Sequence, residues 1–146
     1  MPTYLDVVVD ASVSVWQVLG SPFADKIDTL WKSWVQEGIK VCAPQLWLNE
    51  VTSAIHKVCM KKQVSEKNAR EALEAVLSLG IELYDQDIDL CRKAFDWATK
   101  LNHLAAYDSF YVALAQRLNA ELWTADESLY KRSNQIGVTC VRWIGE

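Results

Sequence analysis

Short runs of apolar residues alternate along the chain with longer segments whose apolar residues recur every three or four positions. A short continuous apolar run is typical of a buried strand, whereas the three-to-four spacing is typical of a helix packed on one side. The apolar runs predict strands at 4–10, 40–43, 81–84, 121–124 and 138–143. The periodic segments predict helices at 22–36, 44–62, 65–80, 87–101, 105–118 and 127–133.

The predicted order of elements is β-α-β-α-α-β-α-α-β-α-β. Helical connections between short apolar strands predict a mainly parallel sheet of about five strands, with helices on both faces. We therefore expect an α/β fold, and more specifically a three-layer α/β/α sandwich. The 146 residues contain no internal repeat or linker, so we expect one domain over residues 1–146.

Several residues with special backbone or charge preferences mark the predicted helix ends. Pro44 suits the first residue of a helix. Asn119 follows a predicted helix and tolerates the left-handed conformation that often ends one. Asp85, Asp87 and Asp89 cluster at the start of another helix, where negative charge is favourable to the helix dipole. These acidic residues therefore have a structural explanation.

The overall charge excludes one mode of nucleic-acid binding. With 19 acidic and 15 basic side chains the net charge is -4, which argues against a broadly basic binding surface. It does not exclude an enzyme that handles nucleic acid through metal ions. Since 51% of the residues are hydrophobic, wholesale disorder is excluded as well.

Cysteine use and the absence of targeting signals indicate the compartment. Four scattered cysteines contain no CxxC pair: Cys42, Cys59, Cys91 and Cys140. They predict reduced thiols rather than disulfides or a zinc site. The start of the chain has the character of a strand rather than a signal peptide, and no apolar stretch is long enough to span a membrane. We expect a cytoplasmic protein with no membrane contact.

Two aspartates follow predicted strands at the edge where such sheets bind ligands. In open parallel sheets the ligand site lies outside the carboxyl ends of the strands. Asp10 ends the first strand, and Asp126 lies just beyond the strand 121–124. Each could equally be a helix N-cap, which is a common use of Asp after a strand.

Two further carboxylates lie beside apolar helix stripes. At about 100° per residue, Asp108 projects at the edge of the apolar stripe of helix 105–118. Glu50 lies just outside the apolar stripe of helix 44–62, on the rim of its sheet-facing side. That stripe of helix 105–118 comprises Leu104, Tyr107, Tyr111, Leu114, Ala115 and Leu118. The predicted outward positions of the same helix are Ser109, Ala113, Gln116 and Arg117. A carboxylate placed like Asp108 is costly unless a cation or metal pairs with it, whereas Glu50 could also be a solvated glutamate.

Taken together, the four acidic residues indicate a metal-binding site more strongly than any one of them does alone. Carboxylates crowded at one end of a sheet repel one another unless a divalent cation neutralises them. Hard oxygen ligands favour Mg²⁺ or Mn²⁺, which often complete their shell with water and substrate phosphate. The chemistry that follows is metal-assisted hydrolysis of phosphodiester bonds.

The segments around these residues resemble the four acidic motifs of the PIN-domain nucleases. The motif segments read Val-Val-Val-Asp-Ala-Ser at 7–12, Leu-Trp-Leu-Asn-Glu-Val at 46–51, Ala-Tyr-Asp-Ser-Phe-Tyr-Val-Ala-Leu-Ala at 106–115 and Leu-Trp-Thr-Ala-Asp at 122–126. Their order and spacing match nearly the whole chain. The third and fourth together resemble the VapC-type toxins of toxin–antitoxin pairs.

This resemblance implies a PIN-like fold and a Mg²⁺-dependent (or Mn²⁺-dependent) ribonuclease acting on RNA. By motif match, Asp10 and Asp108 are the principal metal ligands, and Asp126 completes the acidic cluster. Glu50 holds a ligand or orients the water. The resemblance also implies a homodimer that a small antitoxin protein inhibits.

Two hydroxyl residues receive supporting roles from the same resemblance. Ser12 and Thr124 would fix the carboxylates through hydrogen bonds, although both could instead be simple turn or cap residues. The main alternative is a PIN-like module that binds RNA or a partner without cutting. A receiver-like domain whose acidic cluster binds Mg²⁺ is a third, less well matched by the placement of Lys100 and Lys131.

Two surface features bear on the partners. Helices 22–36 and 44–62 could form a groove for an antitoxin helix, and their tryptophans are expected in the core or at an interface. The candidate phosphate-binding patch consists of Lys57, Lys61, Lys62, Lys67 and Arg70. The same patch could be a solvated helix face.

Overall fold

The computed structural model describes residues 5–103 and 105–146. Tyr4, in the predicted first strand, and Leu104, on the predicted stripe of helix 105–118, lie outside the described residues. The strands are β1 (Asp6–Val9), β2 (Lys40–Pro44), β3 (Glu82–Tyr84), β4 (Glu121–Thr124) and β5 (Val141–Trp143). Each overlaps one predicted strand.

The helices follow the predicted segments with one addition. They are α1 (Ala11–Leu19), α2 (Ala24–Glu37), α3 (Leu46–Met60), α4 (Glu66–Leu77), α5 (Ile88–Leu101), α6 (Tyr107–Leu118) and α7 (Glu127–Gln135). Helix α1 was not predicted, so the expected order is wrong at this point: two helices, rather than one, follow β1. No helix in the described part of the chain is long and apolar enough to cross a membrane.

Local contacts explain two differences from the predicted elements, which are the additional helix α1 and the position of Pro44. Helix α1 contains three valines, which weaken a helical pattern, but Asp10 caps it and Val13 and Val15 are buried. Pro44 does not begin a helix. It is the last residue of β2 and is in register with Tyr84 of β3, so the chain stays extended for one residue longer.

All neighbouring strands of the sheet run parallel in the order β3-β2-β1-β4-β5, which confirms the predicted parallel five-stranded sheet. Central β1 pairs Val8 with Cys42 of β2 and with Leu122 of β4. Because β1 and β4 are adjacent and parallel, their carboxyl ends meet at one edge. The residues that follow them, Asp10 and Asp126, are therefore brought to the same place.

Helices cover both faces of the sheet, which confirms the three-layer α/β/α architecture. Along β1, Val8 packs into one hydrophobic core, while Val7 and Val9 pack into another on the opposite face. The first core also holds Trp47, Val51, Ile55, Tyr111, Val112 and Leu114. The second holds Val13, Ile27, Trp34, Val41, Trp123 and Ile144.

Helices α2 and α3 do not form the groove suggested from the sequence. Ile27 and Trp34 of α2 belong to one core, and Trp47 and Val51 of α3 belong to the other. The two helices therefore bury their apolar sides against opposite faces of the sheet. The periodicity of each helix was predicted well, but periodicity alone does not tell which face a helix covers.

Candidate active site

Asp10 lies between β1 and α1 and does cap a helix. The backbone N–H of Val13 donates to its Oδ1 at 3.2 Å, and the residue is only 7% exposed. Ser12 Oγ donates to Oδ1 at 2.5 Å, and Thr124 Oγ1 donates to Oδ2. Capping therefore uses only part of this carboxylate, and a further hydrogen bond ties it to the end of β4.

The hydroxyls of Ser12 and Thr124 link the ends of β1 and β4 in both directions. Ser12 Oγ accepts the backbone N–H of Ala125 at 3.1 Å, and Thr124 Oγ1 accepts the backbone N–H of Asp126 at 2.9 Å. Thr124 is fully buried. Each hydroxyl thus accepts a backbone N–H from the residues that follow β4 while it donates to Asp10. Together the two hydroxyls hold both carboxylate oxygens of Asp10.

Asp126 follows β4 and is the N-cap of α7. Its Oδ1 accepts the backbone N–H groups of Ser128 at 2.9 Å and Leu129 at 3.3 Å. Oδ2 accepts no hydrogen bond from the residues that the structure describes. The residue is exposed, so this second oxygen is available at the edge of the sheet.

Asp108 lies half-buried in the first turn of α6, and within the described residues its carboxylate accepts no hydrogen bond. Burial raises the pKa of Asp108, because removal from water disfavours the charged form. The nearby charge of His103 lowers this pKa, and the Asp126 carboxylate raises it. Asp108 is thus a partly desolvated carboxylate whose pKa is raised further by another member of the predicted site.

Helix α6 is more enclosed than its sequence indicated. Ser109 and Ala113, which were predicted to face outward, are fully buried. The helix packs against α5 on one side and against β1, β2 and β4 on the other, so that little of it faces solvent. Tyr107, predicted on the buried stripe, is instead 62% exposed. Asp108 therefore lies at the amino end of a helix whose central residues are buried.

Glu50 reaches the same region from α3, where Tyr111 of α6 holds it. The Tyr111 hydroxyl donates to Glu50 Oε1 at 2.6 Å, and Tyr111 is only 1% exposed. Burial raises the pKa of Glu50, the Tyr111 hydrogen bond lowers it, and the charge of Asp108 raises it. Glu50 is therefore not the freely solvated glutamate that the sequence left open.

Asp108 repels the other three carboxylates of the candidate site. Burial raises the pKa of Asp10 to about 6 against the opposing hydrogen bonds, and the charge of Asp108 adds to the rise. Asp108 also raises the pKa of Glu50, while Asp126 raises that of Asp108. None of the four forms an ion pair with Lys or Arg in the described part of the chain. Asp108 thus interacts electrostatically with each of the other three predicted acidic residues.

The donor set fits a hard divalent cation, although no complete cage exists. In residues 5–103 and 105–146, no group of three or more His, Cys, Asp or Glu side chains could hold a metal ion. Mg²⁺ keeps several waters and is usually bound through one or two carboxylates, so such a cage is not required. Asp10 accepts three hydrogen bonds of the roughly four that a carboxylate can take, and Asp108 accepts none from described residues. These two carboxylates have oxygen lone pairs left for an ion.

Two residues of this region were not identified as site residues from the sequence. Tyr111 was assigned only to a buried stripe, and His103 was given no role. A buried tyrosine generally needs a hydrogen-bond partner, and Tyr111 is one helical turn beyond Asp108. That combination was a usable signal for Tyr111. No comparable spacing pointed to His103, which precedes α6.

A second acidic cluster has the structural role predicted for it. Asp87 is the N-cap of α5, and its Oδ1 accepts the backbone N–H of Leu90 at 2.8 Å. Arg117 of α6 pairs with Asp87 at 2.9 Å and with Asp89 at 3.3 Å. The hydrogen bond from Arg117 is the main reason that the pKa of Asp87 falls to about 2. This cluster is neutralised by the protein itself.

The surface features considered from the sequence are largely structural. Trp34 and Trp47 are buried in the two cores, in agreement with their predicted packing. The five basic residues of the candidate phosphate patch are all exposed, and Arg70 pairs with Glu66 at 2.8 Å. A solvated helix face accounts for these residues as well as phosphate binding does.

Comparison with known proteins identifies the domain. A family model described as PIN domain matches residues 7–134. Ribonuclease VapC1 of Mycobacterium tuberculosis is 34% identical over 87 residues, which cover 60% of this chain and 63% of that protein. The chain thus spans less than two thirds of the length of this relative. Ribonuclease VapC9 of the same organism is 29% identical over 120 residues, covering 82% of this chain and 85% of that protein.

A solved structure supports the same fold. The toxin–antitoxin complex from Klebsiella pneumoniae contains a chain that superposes with a TM-score of 0.63 at 16% sequence identity. The superposition covers 93% of this chain and 95% of that chain. At this level of identity the similarity concerns the fold alone.

Proposed function

The chain belongs to the PIN-domain family, and from that premise we propose that it is a metal-dependent endoribonuclease that hydrolyses RNA phosphodiester bonds. The observation that carries the proposal is that Asp108 interacts with three other carboxylates, and that none of the four pairs with a Lys or Arg of the described residues. Uncompensated charge of this kind costs stability and is typical of a functional site. The ribonuclease names of the VapC1 and VapC9 relatives support the same activity.

The four carboxylates would divide the work according to their surroundings. Asp10 and Asp108 would hold Mg²⁺ or Mn²⁺, with Asp126 completing the shell directly or through water. Glu50, fixed by Tyr111, would orient the attacking water. When bound, the ion would activate water and stabilise the charge that develops on the phosphate.

Ser12 and Thr124 would act through Asp10 rather than on RNA. Their hydroxyls donate to both carboxylate oxygens of Asp10 and so fix its orientation. Groups that orient a metal ligand in this way commonly change metal affinity or activity by about 10- to 100-fold when removed.

We further propose that the protein is the toxin of a type II toxin–antitoxin pair, folded as a single domain, homodimeric and located in the cytoplasm. The VapC names of the relatives and the toxin–antitoxin complex from Klebsiella pneumoniae support this proposal. The partner would be a small antitoxin protein that covers the acidic site. Co-expression with candidate small antitoxin proteins, followed by measurement of RNA cleavage, tests this part.

The decisive experiment is cleavage of a mixed RNA substrate by the wild-type protein and by Asp108→Asn, with Mg²⁺, with Mn²⁺ and with EDTA. We expect cleavage that requires the metal and that Asp108→Asn reduces by more than about a hundredfold, beyond the loss of an outer-shell partner. Asp96→Asn, which alters an exposed carboxylate of α5, is the matched control and should retain activity.

The other outcomes are equally informative. Equal cleavage by Asp108→Asn would contradict the assignment of the acidic site. RNA binding without cleavage by the wild-type protein would favour the alternative of a PIN-like module that binds RNA or a partner.

A further inference from the structure

A cleft beside the acidic site has no role in the proposed chemistry. It has a volume of about 540 Å³ and opens between the start of α3, the residues that precede α5 and the start of α6. Its lining consists of Leu46, Asn49, Glu50, Ser53, Gln86, Tyr107 and Phe110. Glu50 forms part of its wall, so the cleft is continuous with the region of the four carboxylates.

One wall of the cleft is aromatic, and its most prominent member is exposed. Tyr107 is 62% exposed although it begins α6 directly before Asp108. Phe110, three residues further along the same helix, is half-buried. Tyr107 differs from other exposed rings in its position, because it offers a flat apolar surface inside a cleft and directly beside Asp108.

The lining residues from α3 and from the segment before α5 offer amide groups. Oε1 of Gln86 accepts the backbone N–H of Leu46 at 2.5 Å, which fixes the side chain at the start of α3. With the oxygen engaged, the amide nitrogen of Gln86 is left with two donors and no partner in the described residues. Asn49, exposed one residue before Glu50, brings a second amide.

We propose that this cleft binds one unpaired nucleobase of the RNA, next to the phosphate that is cleaved, with Tyr107 stacking on its face and the amides of Asn49 and Gln86 contacting its edge. This proposal rests on the proposed ribonuclease function. Single-stranded RNA is recognised in this way, through bases that stack on aromatic rings and hydrogen-bond along their edges.

The charge of the cleft selects a base over the other parts of RNA. None of the seven lining residues is Lys or Arg, so the cleft lacks the cations that bind phosphate. The negative charge of Glu50 also disfavours a phosphate in the cleft. A nucleobase carries no charge and presents a π-face and several donors and acceptors, which match the ring and the amides.

The test uses binding, measured on a protein that cannot cut. In the Asp108→Asn background, fluorescence anisotropy would report the Kd for a short labelled RNA of random sequence, with Mg²⁺ present. Tyr107→Ala should weaken binding by between about fivefold and about a hundredfold, the usual range for loss of one stacked base. Tyr107→Phe, which keeps the ring, should bind within about twofold of its parent.

Two controls separate stacking from general effects. Phe95→Ala removes another exposed ring, 70% exposed on α5 and outside the cleft, and should leave the Kd unchanged. An RNA strand of the same length without bases should bind more weakly, and on it the effect of Tyr107→Ala should vanish. Because Tyr107 is exposed, its replacement should leave the fold intact, which circular dichroism verifies.

The failures of the two proposals can be told apart. If wild type cleaves RNA and Asp108→Asn binds it, but Tyr107→Ala changes the Kd no more than Phe95→Ala does, the cleft is not a base site and the nuclease proposal stands. An equal loss on the strand without bases would also overturn base stacking. RNA that is neither bound nor cleaved would overturn both proposals.

Discussion

Asp10 and Asp87 perform the same structural task in two different electrostatic settings. Each is the N-cap of a helix and accepts the backbone N–H of the residue three positions on, Val13 at 3.2 Å and Leu90 at 2.8 Å. Yet the pKa of Asp10 is raised to about 6, whereas that of Asp87 is lowered to about 2. Local sequence and capping geometry therefore do not decide the charge state of a capping aspartate.

The difference arises from what surrounds each cap. Asp87 is exposed, and Arg117 pairs with it from a neighbouring helix. Asp10 is buried, its hydrogen-bond donors are neutral hydroxyls and an amide, and the charge that affects its pKa is that of another carboxylate, Asp108. A protein that only needed the cap would have supplied a cation or left the residue in water. A buried carboxylate that interacts with other carboxylates and pairs with no Lys or Arg is typical of a functional site, which supports the proposed metal-binding role of Asp10.

The largest predicted effect is a difference in RNA cleavage between variants of the two capping residues. Asn accepts the capping hydrogen bond about as well as Asp, so Asp10→Asn and Asp87→Asn should both fold. Asp10→Asn removes the charge of a proposed metal ligand and should reduce RNA cleavage by about a thousandfold or more. Asp87→Asn should retain cleavage within about twofold, because it removes only exposed ion pairs. Initial cleavage rates of the two purified variants, with circular dichroism as a check on folding, test this.

A similar loss of activity in both variants would show that the contrast between the caps has no functional meaning. Retention of activity in Asp10→Asn would remove Asp10 from the proposed metal ligands.

The next largest effect concerns how the acidic region is held in place. Tyr111→Phe removes the hydroxyl that donates to Glu50 and keeps the buried ring. Cleavage should fall by about 10- to 100-fold, as for other groups that orient a site. Because that hydrogen bond lowers the pKa of Glu50, its loss should also move the acidic limb of the pH–rate profile to higher pH.

Tyr130→Phe is the matched control for this prediction. Tyr130 of α7 packs beside Trp143, and its hydroxyl makes no hydrogen bond within the described residues. It should alter neither the rate nor the profile. A drop in rate for Tyr111→Phe with an unchanged profile would indicate a packing defect rather than a loss of positioning.

The smallest predicted effect is a gain in stability. The pKa of Asp108 is higher in the folded protein than in the unfolded chain, so the folded state binds its proton more tightly. The ionised carboxylate therefore costs stability at neutral pH, and this cost disappears as the pH falls below the unfolded value of 3.8. In metal-free buffer at neutral pH, Asp108→Asn should raise the free energy of unfolding by about 1 kcal/mol.

Urea unfolding of wild type and Asp108→Asn as a function of pH measures this gain. The advantage of the variant should shrink toward acidic pH, whereas Asp87→Asn should show the opposite sign, a small loss at neutral pH that also shrinks in acid. A destabilised Asp108→Asn at neutral pH would contradict the view that this carboxylate is uncompensated.

The sequence predicted the sheet well because short apolar runs are a local signal. It missed α1, since the valines of this segment weaken the helical pattern and the cap at Asp10 was not distinguishable from a strand end. It also misjudged Ser109 and Ala113, because a helical wheel assumes one covered side and α6 has neighbours on several. The spacing of apolar residues along one helix carries no information on how many neighbours pack against it.

The sequence names the candidate residues of the site but not the contacts that hold them. The four acidic residues follow strands or flank apolar stripes, and these are features of short segments. The contact of Tyr111 with Glu50 joins residues 61 positions apart, and that of Thr124 with Asp10 joins residues 114 apart. Contacts at such separations depend on the strand order and helix packing of the whole sheet, which no single segment encodes.

The link between Asp10 and Thr124 has a consequence for the newly synthesised chain. During translation, Asp10 leaves the ribosome long before Thr124, which is encoded 114 codons later. Until β4 has been made and has paired with β1, Asp10 lacks one of its two hydroxyl donors and Asp126 does not yet exist. A ribosome that stalls within α6 would thus release a fragment with an incomplete acidic site. The order of synthesis itself delays assembly of the complete site until most of the chain is present.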